Sequence, residues 1–243
     1  LVFQENIPDI PHLLNKDRVK SGLCAIRQFQ VQYVLLDDGF QHLRLARDMN
    51  IVTIDALNPF GFGHIFPRGM LREPLDELRR ADMFILTHAD QCSHDKIQLI
   101  MDQLHAIAGH VPVVETVHKP IWLESSHGAE MIDIHALQGK RVFAFCAIGN
   151  PESFRKSIEN LGGELLNFHA FPDHHVYTVS ELRALNAEAK RVRPEVIMVT
   201  QKDRVKIKNV CETWDFPLWT LKIEIRIVKG YEIFENKMNA ILN

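Results

Sequence analysis

The stretch Leu35-Leu36-Asp37-Asp38-Gly39-Phe40-Gln41-His42 sets two adjacent acids and a glycine directly after an apolar run. That is the shape of a Walker B strand. Ligands of open α/β sheets sit beyond the carboxyl ends of the strands. A carboxylate there can hold Mg²⁺ through oxygen or take a proton from a nucleophile. Acids that merely close a strand have the same look, so both readings stay open.

Phe171-Pro172-Asp173-His174-His175-Val176-Tyr177 is a second candidate. An acid beside a histidine can orient the ring and stabilise its charged form. Solvent-exposed histidines before a helix are the plain alternative. The third candidate is Phe66-Pro67-Arg68-Gly69-Met70-Leu71-Arg72-Glu73-Pro74, with Arg79-Arg80 after it. Arginine forks suit phosphate, although Arg72 could instead pair with Glu73 or Asp76, and helix-face pairing is the favoured reading of Arg79 and Arg80. Lys202, in Thr200-Gln201-Lys202-Asp203, stands where a lysine could reach phosphate, although a solvated face is its default reading. His88, Cys92 and His94 lack the context of a metal site.

Alternating elements would have to position these residues. Asp17 is a good N-cap for a helix to about Arg27. Val31–Leu36 reads as a buried strand, apolar on both faces. Strands are expected at Ile51–Ile54, Met83–Thr87 and Val111–Val117, with an amphipathic helix over Asp95–Ile107. A segment as long as Asn58–Pro74 inside a compact domain reads as a functional or a mobile loop. Lys119–Gly139 reads as an irregular linker. Strands at Arg141–Ile148, Glu164–Phe168, Glu195–Thr200 and Leu218–Val228 follow. Helices over Pro151–Leu161, from the capping box Thr178-x-x-Glu181 to Val192, and over Tyr231–Leu242 lie between and after them. The pattern predicts an α/β fold with a mostly parallel sheet, in two lobes, residues 1–130 and 131–243.

The 243 residues carry 46% hydrophobic and 24% charged side chains, enough for a real core, and a net charge of -3. That charge argues against a nucleic-acid-binding protein, which is usually basic. Four scattered cysteines form no C-x-x-C pair, so neither a disulfide framework nor a zinc ribbon is expected. No apolar run is long enough to span a bilayer. Neither G-x-x-x-x-G-K-[ST] nor G-x-G-x-x-G occurs.

An ordered set of motifs resembles the tetraacyldisaccharide 4'-kinase (lipid A 4'-kinase) family. It comprises Asp37-Asp38-Gly39-Phe40-Gln41-His42, Leu45-Ala46-Arg47-Asp48, Pro67 to Pro74, Arg80-Ala81-Asp82, Ile148-Gly149-Asn150-Pro151, Phe171 to His175, and Thr200 to Lys206. The resemblance implies a P-loop-kinase-like fold lacking its first strand and P-loop, in a chain that opens at Leu1 rather than Met. It implies transfer of the γ-phosphoryl of ATP, with Mg²⁺, to the 4'-hydroxyl of a tetraacyl glucosamine disaccharide 1-phosphate, the lipid A disaccharide precursor. The place implied is the inner-membrane surface, peripherally at the cytoplasmic face of the bacterial inner membrane. By the same resemblance Asp38 is the base, His174 shares the proton, and Asp37 holds Mg²⁺. Lys202 meets the nucleotide, and Arg18, Gln41, His42, Arg68 and Arg72 meet the acceptor. The chain departs from the family pattern at Gly63-His64, Arg68, Met70 and Gln201. Two other functions remain: a metal-dependent phosphoesterase, suggested by Asp173-His174-His175, and a non-catalytic lipid-binding remnant.

Overall fold

A computed structural model describes residues 2–125, 130–208, 210 and 214–242, the side chain of Phe3 excepted. Helices α1 (Val2–Asn6) and α2 (Arg18–Phe29) are followed by β1 (Ile51–Asp55) and β2 (Met83–Thr87). Next come α3 (His94–Ala108), β3 (Val113–Ser125), β4 (Met131–Ile132) and β5 (Arg141–Cys146). Then follow α4 (Pro151–Asn160), β6 (Glu164–Ala170), α5 (Val179–Val192), β7 (Val196–Thr200), α6 (Gln201–Ile207), β8 (Leu218–Lys229) and α7 (Tyr231–Leu242).

The chain divides into two compact units. One holds residues 11–118 and 225–243, the other residues 1–10 and 119–224. In the first, β1, β2 and β3 are parallel neighbours, with Ile51 opposite Met83 and Phe84 opposite Val113. Phe84, Leu86, Ile100 and Leu104 fill its core, because α3 turns Ile97, Ile100 and Leu104 onto the sheet at helical spacing. In the second unit, β8, β7, β5 and β6 lie side by side and parallel. Phe143, Phe145, Ile197 and Val199 face one core; Val142, Ala144, Val196 and Met198 face another. Burial on both faces is why these strands read as unbroken apolar runs.

The α/β class, the parallel pairing and the Thr178–Glu181 capping box agree with the sequence reading. Three elements differ. Val31–Leu36 is not a strand: it has no ladder partner among the described residues, bends at Gln32, and leaves Leu35 92% exposed. Apolar content alone does not make a strand; a neighbour with free backbone groups does. The expected linker is largely structured, since β3 runs on to Ser125 and pairs antiparallel with β4 through Leu123 and Ile132. Its residues 126–129, like Cys211, lie outside the described residues. Helix α6 was not expected, being only 7 residues long.

Candidate active site

The acid pair does not end a strand but sits in a turn, and side chains from three later motifs hold that turn. Arg47 donates through Nη1 to the carbonyls of Gly39 (2.9 Å) and His42 (2.7 Å), and through Nε to Asn50 Oδ1 (2.6 Å). The Asn50 amide in turn donates to Asp82 (2.7 Å). Arg80 donates to the carbonyl of Phe40 (3.1 Å), lies 4.3 Å above its ring, and pairs with Glu73 and Glu77. Leu-Ala-Arg-Asp and Arg-Ala-Asp are thus scaffolding for the turn. A Cβ at Gly39 would press on the Leu36 side chain, which would have to shift.

The turn presents Asp38, itself in the left-handed region at φ 51°, to Arg72. Arg72 Nη1 donates to both carboxylate oxygens, at 2.7 and 2.8 Å. Neither the Glu73 nor the Asp76 pairing occurs for Arg72; Arg79 takes Asp76 instead. The hydrogen bond and charge of Asp38 raise the already high pKa of Arg72, which stays a cation.

Around this pair opens a cavity of about 660 Å³, lined by Leu14, Asn15, Lys16, Arg18, Asp38, Gln41, His42 and Arg72. Arg18 is held at the start of α2: its Nη1 donates to the Asn15 carbonyl (2.7 Å), and Asp17 caps the helix at the Lys20 amide. Nε2 of His42 is buried with no hydrogen-bond partner among the described residues. Five residues singled out from the sequence, Arg18, Asp38, Gln41, His42 and Arg72, therefore converge. Lys16 and Asn15 join them. Arg68 and Asp37 are exposed and do not line this cavity. Three cations and one acid give a wall that favours an anion.

The other unit carries the second motif. His174 sits at φ 61° with its side chain 88% exposed, and its Nε2 is 3.7 Å from Asp173 Oδ2. The Asp173 carboxylate also accepts from the His174 amide (2.9 Å). His175 points inward, stacked on Phe171 and 3.1 Å from Glu181. Two adjacent histidines thus have opposite tasks, one displayed and one packed.

Beneath them lies a carboxylate that sequence reasoning missed. Asp203 is fully buried and accepts from the Ala147 amide (3.0 Å), the Tyr177 hydroxyl (3.0 Å) and the Thr200 hydroxyl (2.5 Å). Lys206 Nζ stands 3.8 Å away and donates to the Ala147 carbonyl. Burial, then the charge of Asp203, pushes the Tyr177 phenol well above its ordinary value and the Cys146 thiol up to about 12. Lys202, one residue earlier, is exposed. The missed signal was the capping spacing Thr200-x-x-Asp203 after an apolar strand.

At the carboxyl ends of β1 and β2, His88 Nδ1 is 2.9 Å from Asp55, and its Nε2 is 2.6 Å from His118 Nδ1. Burial raises the Asp55 pKa. Hydrogen bonds from His88 and the Leu57 amide, with nearby positive charge, overcome that and hold it below the ordinary value. Among the described residues, no three His, Cys, Asp or Glu side chains are grouped to hold a metal ion. No described helix is long and apolar enough to cross a membrane.

The mostly parallel α/β sheet and the charged cavity define an α/β protein with an anion-favouring site, and its fold is P-loop-kinase-like. LpxK from Aquifex aeolicus, whose crystal structure in the "apo" form is in complex with ATP, superposes with a TM-score of 0.65 at 26% identity. That match covers 94% of this chain and 64% of that one. The model of the family described as tetraacyldisaccharide-1-P 4'-kinase matches residues 1–243, and the chain belongs to that family. The tetraacyldisaccharide 4'-kinase of Syntrophus aciditrophicus is 38% identical over 97% of this chain. That of Halothermothrix orenii is 37% identical over 82%. The chain spans 64% and 54% of those two relatives.

Proposed function

We propose that this chain forms the acceptor-binding part of an ATP-dependent kinase that phosphorylates the 4'-hydroxyl of a tetraacyl glucosamine disaccharide 1-phosphate in lipid A synthesis. We place it peripherally at the cytoplasmic face of the bacterial inner membrane. The observation that carries the proposal is the convergence of Asp38, Arg72, Arg18, Lys16, Gln41 and His42 on one cavity.

The Asp38–Arg72 pair is more than half exposed, so opening it costs little. An entering acceptor hydroxyl takes the place of Arg72 at Asp38, which accepts its proton as the oxygen attacks the γ-phosphorus of ATP and the bond to the bridging oxygen breaks, releasing ADP. Arg72, released, turns to the negative oxygens of the moving group. Lys16 and Arg18 hold the phosphate the acceptor already carries. Gln41 and His42 fix the sugar ring, with the buried Nε2 of His42 as an acceptor or donor awaiting a partner. Arg68 meets the acceptor further out on its loop. Phosphoryl transfer asks mainly for such positioning and charge neutralisation.

Mg²⁺ takes one or two carboxylates plus phosphate oxygens and waters. Asp37, an exposed carboxylate beside Asp38, fits that modest demand. The ion would neutralise charge on the nucleotide phosphates. Lys202 supplies a point charge for the nucleotide, and His174 is the second proton-handling side chain. The test is phosphate transfer from Mg-ATP to the lipid disaccharide by the full-length protein. Arg72→Met should lower turnover about a hundredfold or more. Near-normal turnover in that variant would overturn the arrangement.

A further inference from the structure

The segment between Asn58 and Leu71 is built on two levels. Its inner apolar residues are anchored: Phe60 packs on the core beside Ile54 and Leu78, and Pro59 and Leu71 line a small cavity over β1. The backbone is closed on itself by the bonds Met70 N to Gly61 O (2.9 Å), Leu71 N to His64 O (3.1 Å) and Phe66 N to Leu71 O (2.8 Å). Gly69 permits this, since a Cβ there would meet His64 O at 2.1 Å. The outer residues face the opposite way. Phe62 is 72% exposed, Phe66 77% and Met70 68%, with Ile65 also exposed. Phe62 holds the left-handed region at φ 64°, where a bulky side chain is disfavoured. The fold thus tolerates a strained backbone to display a ring that makes no use of the interior.

Charge selects the occupant. Between Asn58 and Leu71 there is no acid, and Arg68 with His64 stands among the exposed rings. Aromatic and aliphatic tips interleaved with cations suit the boundary of an anionic bilayer. The next residue, Arg72, lines the acceptor cavity. We propose that Phe62, Ile65, Phe66 and Met70 insert into the surface of an anionic lipid bilayer, setting that cavity at headgroup level. The inference deepens the proposed function, since it rests on a lipid acceptor.

The test is co-sedimentation of the 243-residue chain with sucrose-loaded vesicles of equal parts phosphatidylglycerol and phosphatidylethanolamine. Binding is expected, weaker by about tenfold or more in the Phe62→Asn, Phe66→Ser double variant. Asn is at home at positive φ, so unchanged circular dichroism and melting are expected with it. Absence of wild-type binding, or equal binding by the variant, overturns the proposal. Equal binding to phosphatidylcholine vesicles overturns the anionic assignment. Lipid-independent pelleting that the variant loses would make the loop a self-association surface and overturns it too. Phosphorylation of a short-chain, water-soluble acceptor by the full-length variant tests the kinase reading separately: activity there with vesicle binding lost supports both.

Discussion

Asp38 and Asp203 are both aspartates set just past apolar runs, yet their surroundings are opposite. Asp38 is exposed, and its one side-chain partner is a cation that can leave. Asp203 is buried, and three neutral donors converge on it: the Ala147 amide just past β5, the Tyr177 hydroxyl and the Thr200 hydroxyl at the end of β7. The first arrangement costs little to open and suits chemistry. The second suits support: it ties Tyr177, and with it the loop that displays His174, to the ends of two strands. The lesson is that an acid after an apolar run is a site or a strut according to what else reaches it.

Several experiments can break or sharpen that contrast. The largest effect should be on turnover. If the proposed function holds, Asp38→Asn is expected to lower phosphate transfer by about 10²–10⁴-fold, while urea denaturation shows a stability change under about 1 kcal/mol. A large loss of stability would make Asp38 a strut as well. Asp203→Ala should do the reverse to the fold, lowering stability by about 3 kcal/mol or more, because Lys206 and three donors lose their partner inside the protein. An unchanged melting temperature would remove the supporting role.

Reactivity gives a finer probe. Cys146, pushed up to about 12 by burial and by Asp203, is expected to stay unalkylated by iodoacetamide near neutral pH in the folded chain. Asp203→Asn removes the nearby charge and should quicken its reaction severalfold, read by mass spectrometry. The smallest effects belong to local features. Thr178→Ala, which removes the hydroxyl half of the capping box and leaves the Thr178 backbone N–H on Glu181, should cost about 1 kcal/mol.

The pH dependence of Asp55 sets a third acid beside these two. Its folded-state pKa lies below the ordinary 3.8, so its contribution to stability is present above that value. It is lost as pH falls through the folded value, since the unfolded chain takes up the proton first on the way down. Urea midpoints measured down to about pH 3 should therefore fall less steeply in Asp55→Asn than in the wild type. Parallel curves would show that the His88 contact contributes nothing in solution.

Much of this was legible in the residues. Apolar runs at Ile51–Asp55, Met83–Thr87, Arg141–Cys146 and Val196–Thr200 announced buried parallel strands, and Thr178 with Glu181 announced a helix start. Asp38, Gln41, His42, Arg18 and Arg72 were picked out by type and motif, and they line one cavity. The partner of Arg72 was not legible, because 34 positions separate it from Asp38 and nearer acids competed for it. Val31–Leu36 misled for the matching reason: its composition is that of a strand, but pairing is a property of neighbours.

By itself the sequence determined the order of helices and strands, the family and the residue types available for chemistry. Those follow from periodicity, capping and motif, all of which act over a few positions. Only the tertiary structure decided which acid is open and which is buried, which histidine of the pair is displayed, and which rings of the Asn58–Leu71 loop face outward. Such outcomes depend on distant groups brought together in space, where desolvation and hydrogen bonding set each side chain's use.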